Sequence, residues 1–169
     1  MLIVQLEAVT LAALGDGDLA LAERTSPVPL SAWLASEECA GTWRRRAKQV
    51  VETPEDTAWV TGVVWDVDAG RAVGRAGFHA APDPDGLVEV GYAIDPAHRR
   101  RGYARAALEA MIARARQEPG VTTVRATVSP DNHASRALID QYGFVENGEQ
   151  WDDEDGLEVI LELDVRQDR

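Results

Sequence analysis

The chain reads as an α+β domain, and three observations say so. Two segments carry unambiguous and different periods: residues 102–117 repeat their apolar side chains as a helix does, and residues 121–128 alternate as a strand does. Around them, runs rich in valine, isoleucine and leucine are separated by glycine, proline and aspartate punctuation. A length of 169 residues suits a single domain, expected here over residues 1–169, with one core and one site.

Taken in order, Leu2 to Val9 is a short apolar strand candidate that ends in a turn region from Thr10 to Asp18. Residues from Ser31 to about Glu52 read as one helix: Ser31 caps, Trp33, Leu34, Trp43, Ala47, Val50 and Val51 form a loosely periodic apolar face, and Pro54 stops it. Ala58 to Trp65 and Ala72 to His79 flank an acidic, glycine-closed turn and read as a hairpin. A third strand, Leu87 to Ile94, follows the turn Pro82 to Gly86, and Gly91 marks a bulge position in it.

In the helix from Gly102 to Gln117, Ala104, Ala107, Leu108, Met111, Ile112 and Ala115 fall at i, i+3, i+4, i+7, i+8 and i+11, and Pro119-Gly120 ends it. Val124, Ala126 and Val128 then alternate with Arg125 and Thr127. Ser129 to Asn132 opens a helix that runs to Tyr142, where Gly143 supplies the left-handed stop. Phe144 to Gln150 and Leu157 to Leu163 close as a hairpin.

Composition narrows the function classes. With 45% hydrophobic and 27% charged residues the balance is globular, and no apolar run approaches the ~20 residues of a spanning helix. Met1 to Thr10 has neither a basic start nor a long apolar core, so a soluble, unexported, cytoplasmic protein is expected, without membrane partners. The single Cys39 forms no internal disulfide, fits a reducing compartment, and reads as a small semi-buried side chain rather than a nucleophile. A net charge of -12 disfavours a dedicated nucleic-acid binder and favours a cationic or amine-bearing substrate. His79, His98 and His133 show no metal spacing, so no metal is expected.

The informative segment joins the strand Leu87 to Ile94 to the following helix through Asp95-Pro96-Ala97-His98 and then Arg99-Arg100-Arg101-Gly102-Tyr103-Ala104. A helix start already carries unpaired N–H groups and about half a positive charge, so each arginine there opposes the dipole by ~0.3 to 1 kcal/mol. Local stability does not explain the arginines, whereas a bound polyanion does; the other reading is a solvated arginine run beside a C-terminal partner. Gly102 lets the backbone approach such a ligand, and Ala104 keeps the first turn narrow. A P-loop fits poorly, because the Gly-Lys-Ser or Gly-Lys-Thr ending is missing, and so does a dinucleotide fold, because no G-x-G-x-x-G follows an early strand.

In that context, Arg99-x-x-Gly102-x-Ala104 resembles the acetyl-CoA pyrophosphate loop of the GNAT superfamily. Asn132-His133-Ala134-Ser135 and Gly143-Phe144 stand where that family has its Asn-x-x-Ser and Gly-Phe signatures. The resemblance runs from Leu2 to Leu163 and is strongest to the branch that includes ribosomal-protein N-terminal acetyltransferases. It implies a mixed, mostly antiparallel six- to seven-stranded sheet with about four helices. It also implies acetyl-CoA as co-substrate and an amine-bearing small molecule or peptide N-terminus as acceptor, and it leaves a homodimer open.

Carried over residue by residue, the resemblance assigns the pyrophosphate to the backbone of Arg100, Arg101, Gly102, Tyr103 and Ala104, with Arg99 opening the motif. The main chain of Tyr92, Ala93 and Ile94 is expected to pair with the pantetheine arm, and Asn132 and Ser135 to meet the pantetheine near the sulfur. An amine of pKa ~10.4 costs ~4.6 kcal/mol to deprotonate at pH 7, so a base is needed. Glu89 stands where several relatives carry it, directly or through water; the other reading is an exposed strand glutamate.

The usual acid, a tyrosine, falls at Ile139 here, which leaves Ser135, Tyr142 or water to protonate a thiolate of pKa ~8.5. Asp152-Asp153-Glu154-Asp155 is either an attractor for a cationic acceptor or a solvated turn, and Trp33 and Trp43 either line the acceptor pocket or pack. Two other classes stay in view: a non-catalytic acyl-CoA sensor, and an interaction module whose arginine loop binds another protein.

Overall fold

The computed structural model describes residues 1–152 and 156–166. Seven strands form one mixed, mostly antiparallel sheet: β1 (Leu2–Val4), β2 (Gly62–Asp66), β3 (Arg71–Phe78), β4 (Leu87–Ile94), β5 (Thr123–Val128), β6 (Val145–Asp152) and β7 (Gly156–Asp164), in the order β1-β2-β3-β4-β5-β7-β6. The described helices are α1 (Ala8–Gly15), α2 (Leu19–Thr25), α3 (Glu37–Glu52), α4 (Tyr103–Gln117) and α5 (His133–Ile139), with short 3-10 turns between several of them. Contacts divide the chain into two compact units, residues 1–81 with 91–110, and residues 82–90 with 111–169.

In the first unit, β1 pairs antiparallel with β2 and β2 with β3, and the core gathers Leu11, Leu14, Leu34, Trp43, Val60 and Val63. The expected strand to Val9 stops at Val4, and the expected turn at Thr10 is instead part of α1. Its Ala-Val-Thr-Leu-Ala-Ala-Leu run is apolar almost throughout, so no amphipathic period signals it, yet alanine and leucine are strong helix formers and the helix is buried on most sides.

The single helix expected from Ser31 to Glu52 is two pieces, a 3-10 turn at Ala32–Ala35 and then α3, with Ser36 rather than Ser31 at the α3 boundary. Trp43 explains the break, because its Nε1 donates to the Leu34 carbonyl at 2.7 Å, a bond that turns the preceding segment back onto α3. Beneath α3 lies a buried polar network. Arg46 donates to Gln49 and the His79 carbonyl, Gln49 donates to Asp56, and Asp56 accepts the Ala81 amide at 2.7 Å.

In the second unit, β4 pairs parallel with β5 from Leu87↔Thr123 to Val90↔Ala126, and β7 runs antiparallel to both β5 and β6. Val88, Val90, Val124, Ala126, Val128, Leu161 and Leu163 are buried, as the period of two requires. Met111, Ile112 and Ala115, on the apolar face read from the sequence, are buried along α4. A Cβ at Gly91, the expected bulge position, would come within 2.9 Å of His79 Nε2, so the glycine leaves room for an imidazole.

Candidate active site

The turn after β4 is built from inside its own sequence. The Asp95 amide donates to the Val73 carbonyl at 3.0 Å, anchoring the strand end to β3, and the Asp95 carboxylate accepts the Ala97 amide at 2.9 Å. Pro96–His98 then forms one 3-10 turn, Arg99 is extended, and the backbone changes hand: Arg100 has φ 62° and Gly102 φ 85°. Arg100 is the one non-glycine residue with positive φ among those described. That conformation costs an L-residue about 1 to 2 kcal/mol and persists only where something over-determines it.

Gly102 is the boundary residue of α4, because its carbonyl accepts the Ala106 amide at 3.0 Å. Among the described residues, none accepts a hydrogen bond from the amides of Gly102, Tyr103 or Ala104. A Cβ on Gly102 would project into open space, with no protein atom within 4 Å. Left-handed turns followed by a helix start make amide-lined anion cradles. The diphosphate of a coenzyme A ester fits this one: donors are present, the space over Gly102 is clear, and the exposed Arg100 and Arg101 add charge.

The other side chains of the motif hold it in place. Arg99 Nε donates to the Ile94 carbonyl at 3.0 Å, and its guanidinium lies 3.7 Å from Glu38, which also accepts Trp33 Nε1 at 3.0 Å. Arg99 is therefore a brace between the strand end and the start of α3. Tyr103 Oη donates to Asp66 Oδ2 at 2.6 Å, and Asp66 Oδ1 accepts the amides of Asp68 and Ala69, which ties the helix start to the β2–β3 turn. The Tyr103 bond is the largest cause holding Asp66 below, and the phenol above, their ordinary values.

On β4, a Cβ at Gly74 would come within 2.5 Å of the Ala93 carbonyl, so β3 closes on that peptide. With Asp95 also bonded toward β3, strand alternation turns the peptide groups of Tyr92 and Ile94 to the opposite edge.

The second unit carries the remaining residues. Glu89 is half-buried and accepts the Thr127 hydroxyl at 2.8 Å. On the same face of β5, Arg125 pairs with Glu162 at 2.7 Å. Asn132 caps α5, its Oδ1 accepting the Ser135 amide at 3.1 Å, so the Asn-x-x-Ser signature is at least a helix cap. Tyr142 is half-buried at the end of a 3-10 turn that Gly143 closes with φ 78°, and Ile139 is a core residue at 1% exposure. Of the acidic turn, residues 153–155 lie outside the described residues. Trp43 is fully buried and packs, while Trp33 is half-buried with its indole held by Glu38.

Residues 9–145 match the family model described as an acetyltransferase (GNAT) domain. The chain belongs to the GNAT family.

Its relatives include an uncharacterised N-acetyltransferase of Bacillus subtilis, 35% identical over 47% of this chain and 48% of its own. An L-2,4-diaminobutyric acid acetyltransferase of Streptomyces anulatus is 31% identical over 63% of this chain and 66% of its own. The chain spans about half the length of the first two curated relatives it matches. Among solved structures, ribosomal-protein-S5-alanine acetyltransferase from Vibrio fischeri superposes with a TM-score of 0.66 at 17% identity, covering 97% of this chain and 92% of that one. A dodecameric spermidine N-acetyltransferase from Vibrio cholerae gives 0.66 at 15%, covering 98% and 94%. At such identities these two establish the fold, which is the GNAT fold expected from the motif and the element order.

Three polar partners of this GNAT chain escape a reading of its sequence: Thr127 on Glu89, Glu38 on Arg99, and Asp66 on Tyr103. Each joins positions far apart in the chain. The alternation in β5 puts Thr127 on the polar face, but only the β4–β5 register brings it to Glu89. Among the described residues, no group of three or more His, Cys, Asp or Glu could hold a metal ion, and no helix is long and apolar enough to cross a membrane.

Proposed function

We propose that this GNAT chain transfers the acetyl group of acetyl-CoA to a primary amine. The observation that carries the reading is the turn at Arg100 and Gly102, with amides that no described residue accepts at the start of α4 and open space over Gly102. In this reading the diphosphate occupies that turn, with the amides from Arg100 to Ala104 as donors. Tyr92 and Ile94 present their peptide edge to the pantetheine, and Ala93 contributes its position in the strand. Asn132 and Ser135 are assigned the sulfur end by the family motif alone.

The thioester supplies an activated acyl carbon. Glu89, oriented by the Thr127 hydroxyl, takes a proton from the ammonium group directly or through one water, and the freed lone pair attacks the carbonyl carbon. Collapse of the tetrahedral adduct breaks the C–S bond, and the nitrogen gives up its second proton as the amide forms. That proton reaches the departing thiolate through Ser135, Tyr142 or water, a step that an acid aids modestly because the thiolate of a thiol of pKa ~8.5 is a weak base near neutrality. The diaminobutyrate named for a relative carries primary amines, which supports that acceptor class. A cytoplasmic setting belongs to this reading.

One observation favours a second reading, an acyl-CoA-binding sensor: the acid position is filled by the core residue Ile139. Release of free thiol from acetyl-CoA in the presence of an amine panel separates the two. Amine-dependent release establishes the transferase, whereas binding without release establishes the sensor.

A further inference from the structure

Arg75 is the cation in the first unit that the fold leaves least explained. It stands on β3 directly opposite Val63, a residue of the core cluster under α3, so its side chain lies on the α3 face of the sheet. Arg75 is half-buried, its Nε is shut off from solvent, and that Nε has no hydrogen-bond partner. Among the described residues no carboxylate pairs with it, in contrast to Arg99, Arg125, Arg136 and Arg166, each of which has one. Glu38, the acid nearest in kind, is held by Trp33 and Arg99.

The buried Cys39 thiol hydrogen-bonds the guanidinium, and Ser36, at the start of α3 and also beside Cys39, makes no capping bond with its hydroxyl. A partly desolvated guanidinium with an idle donor is costly unless an anion meets it. The adjacent Gly74 abuts Ala93 and Ile94, which sets Arg75 beside the stretch of β4 assigned above to the thioester arm.

From this we infer that Arg75 is the acceptor-recognition residue of the transferase. Its guanidinium receives the carboxylate of an amino-acid acceptor whose second, side-chain amine is the group acetylated, and Ser36 offers a hydroxyl to the same anion. The inference rests on the transferase reading and narrows it to a class, diamino acids over simple polyamines.

The test compares two probes that present the same kind of primary amine, 2,4-diaminobutyrate with its carboxylate and 1,3-diaminopropane without one. The wild-type protein is expected to acetylate the amino acid with the lower KM. Arg75→Gln should raise that KM about 10- to 100-fold and leave the diamine KM and the acetyl-CoA KM unchanged. Arg75→Lys, which keeps the charge but not the planar fork, should fall between.

Equal use of both probes by the wild type overturns the inference without needing any variant, and so does an Arg75→Gln effect of the same size on both. Calorimetry on the CoA-loaded protein, which has no acetyl group to transfer, gives an independent reading. If neither probe is acetylated in the turnover assay, the transferase reading fails, while Arg75-dependent binding of 2,4-diaminobutyrate to the CoA-loaded protein still supports the carboxylate site and its absence overturns it.

Discussion

Tyr103 donates its phenol proton to Asp66 at 2.6 Å, and through that bond the first residue of α4 is fastened to the turn between β2 and β3. The carboxylate must be ionised and the phenol neutral for the bond to exist. Asp66 is held below its ordinary 3.8, so its share of stability is complete above that value and is lost as pH falls. Tyr103 is raised above its ordinary 10.0, so its share is complete below that and is lost as pH rises through the raised value. Tyr103→Phe should therefore weaken acetyl-CoA binding most between about pH 5 and 9 and converge with wild type at both extremes, read as coenzyme-induced thermal shift against pH.

Glu89 and Thr127 make a second pair with a separable outcome. Glu89→Gln should lower kcat by about 10² to 10⁴ with the acetyl-CoA shift intact. Thr127→Val removes only the bond that orients the carboxylate, so steady-state assays should show a smaller fall in kcat. An unchanged rate across pH in Glu89→Gln would remove the base assignment.

Cys39 is fully buried, and desolvation pushes its thiol up, against the pull of Arg75. A thiol-specific colorimetric reagent should find no reactive thiol in the native protein and one per chain in denaturant. Folding favours the neutral thiol, so stability from this group is complete below its ordinary 9.0 and fades as pH rises beyond it.

What could be read from the chain beforehand follows from which forces are local. The faces of α4 and β5 were legible because burial imposes a period on neighbours in sequence, and Ala107, Leu108, Met111 and Val124, Ala126, Val128 obey it. The loop stood out for the opposite reason: arginines at a helix start work against local stability, yet the structure uses one of the three, Arg99, as a brace to Ile94 and Glu38. Helix α1 escaped because a segment buried on most sides has no polar face to mark its period. Ser31 looked like a cap by residue type, but the bond from Trp43 to Leu34 moves the helix start to Ser36. At Gly91 the approach of His79, a residue distant in sequence, could not be read from the chain.

The most direct test of the central claim is a thermal-shift comparison of acetyl-CoA with S-acetylpantetheine, which carries the same thioester but no diphosphate, on the wild type and on Gly102→Glu. Acetyl-CoA at 100 times its Kd should add ~2.7 kcal/mol and raise Tm by a few degrees in the wild type. Acetylpantetheine at the same concentration should do little, and Gly102→Glu, strained at φ 85° and placing an anion in the cradle, should abolish the acetyl-CoA shift. Equal shifts from the two thioesters, or a Gly102→Glu protein that folds and still binds acetyl-CoA as the wild type does, would contradict the account.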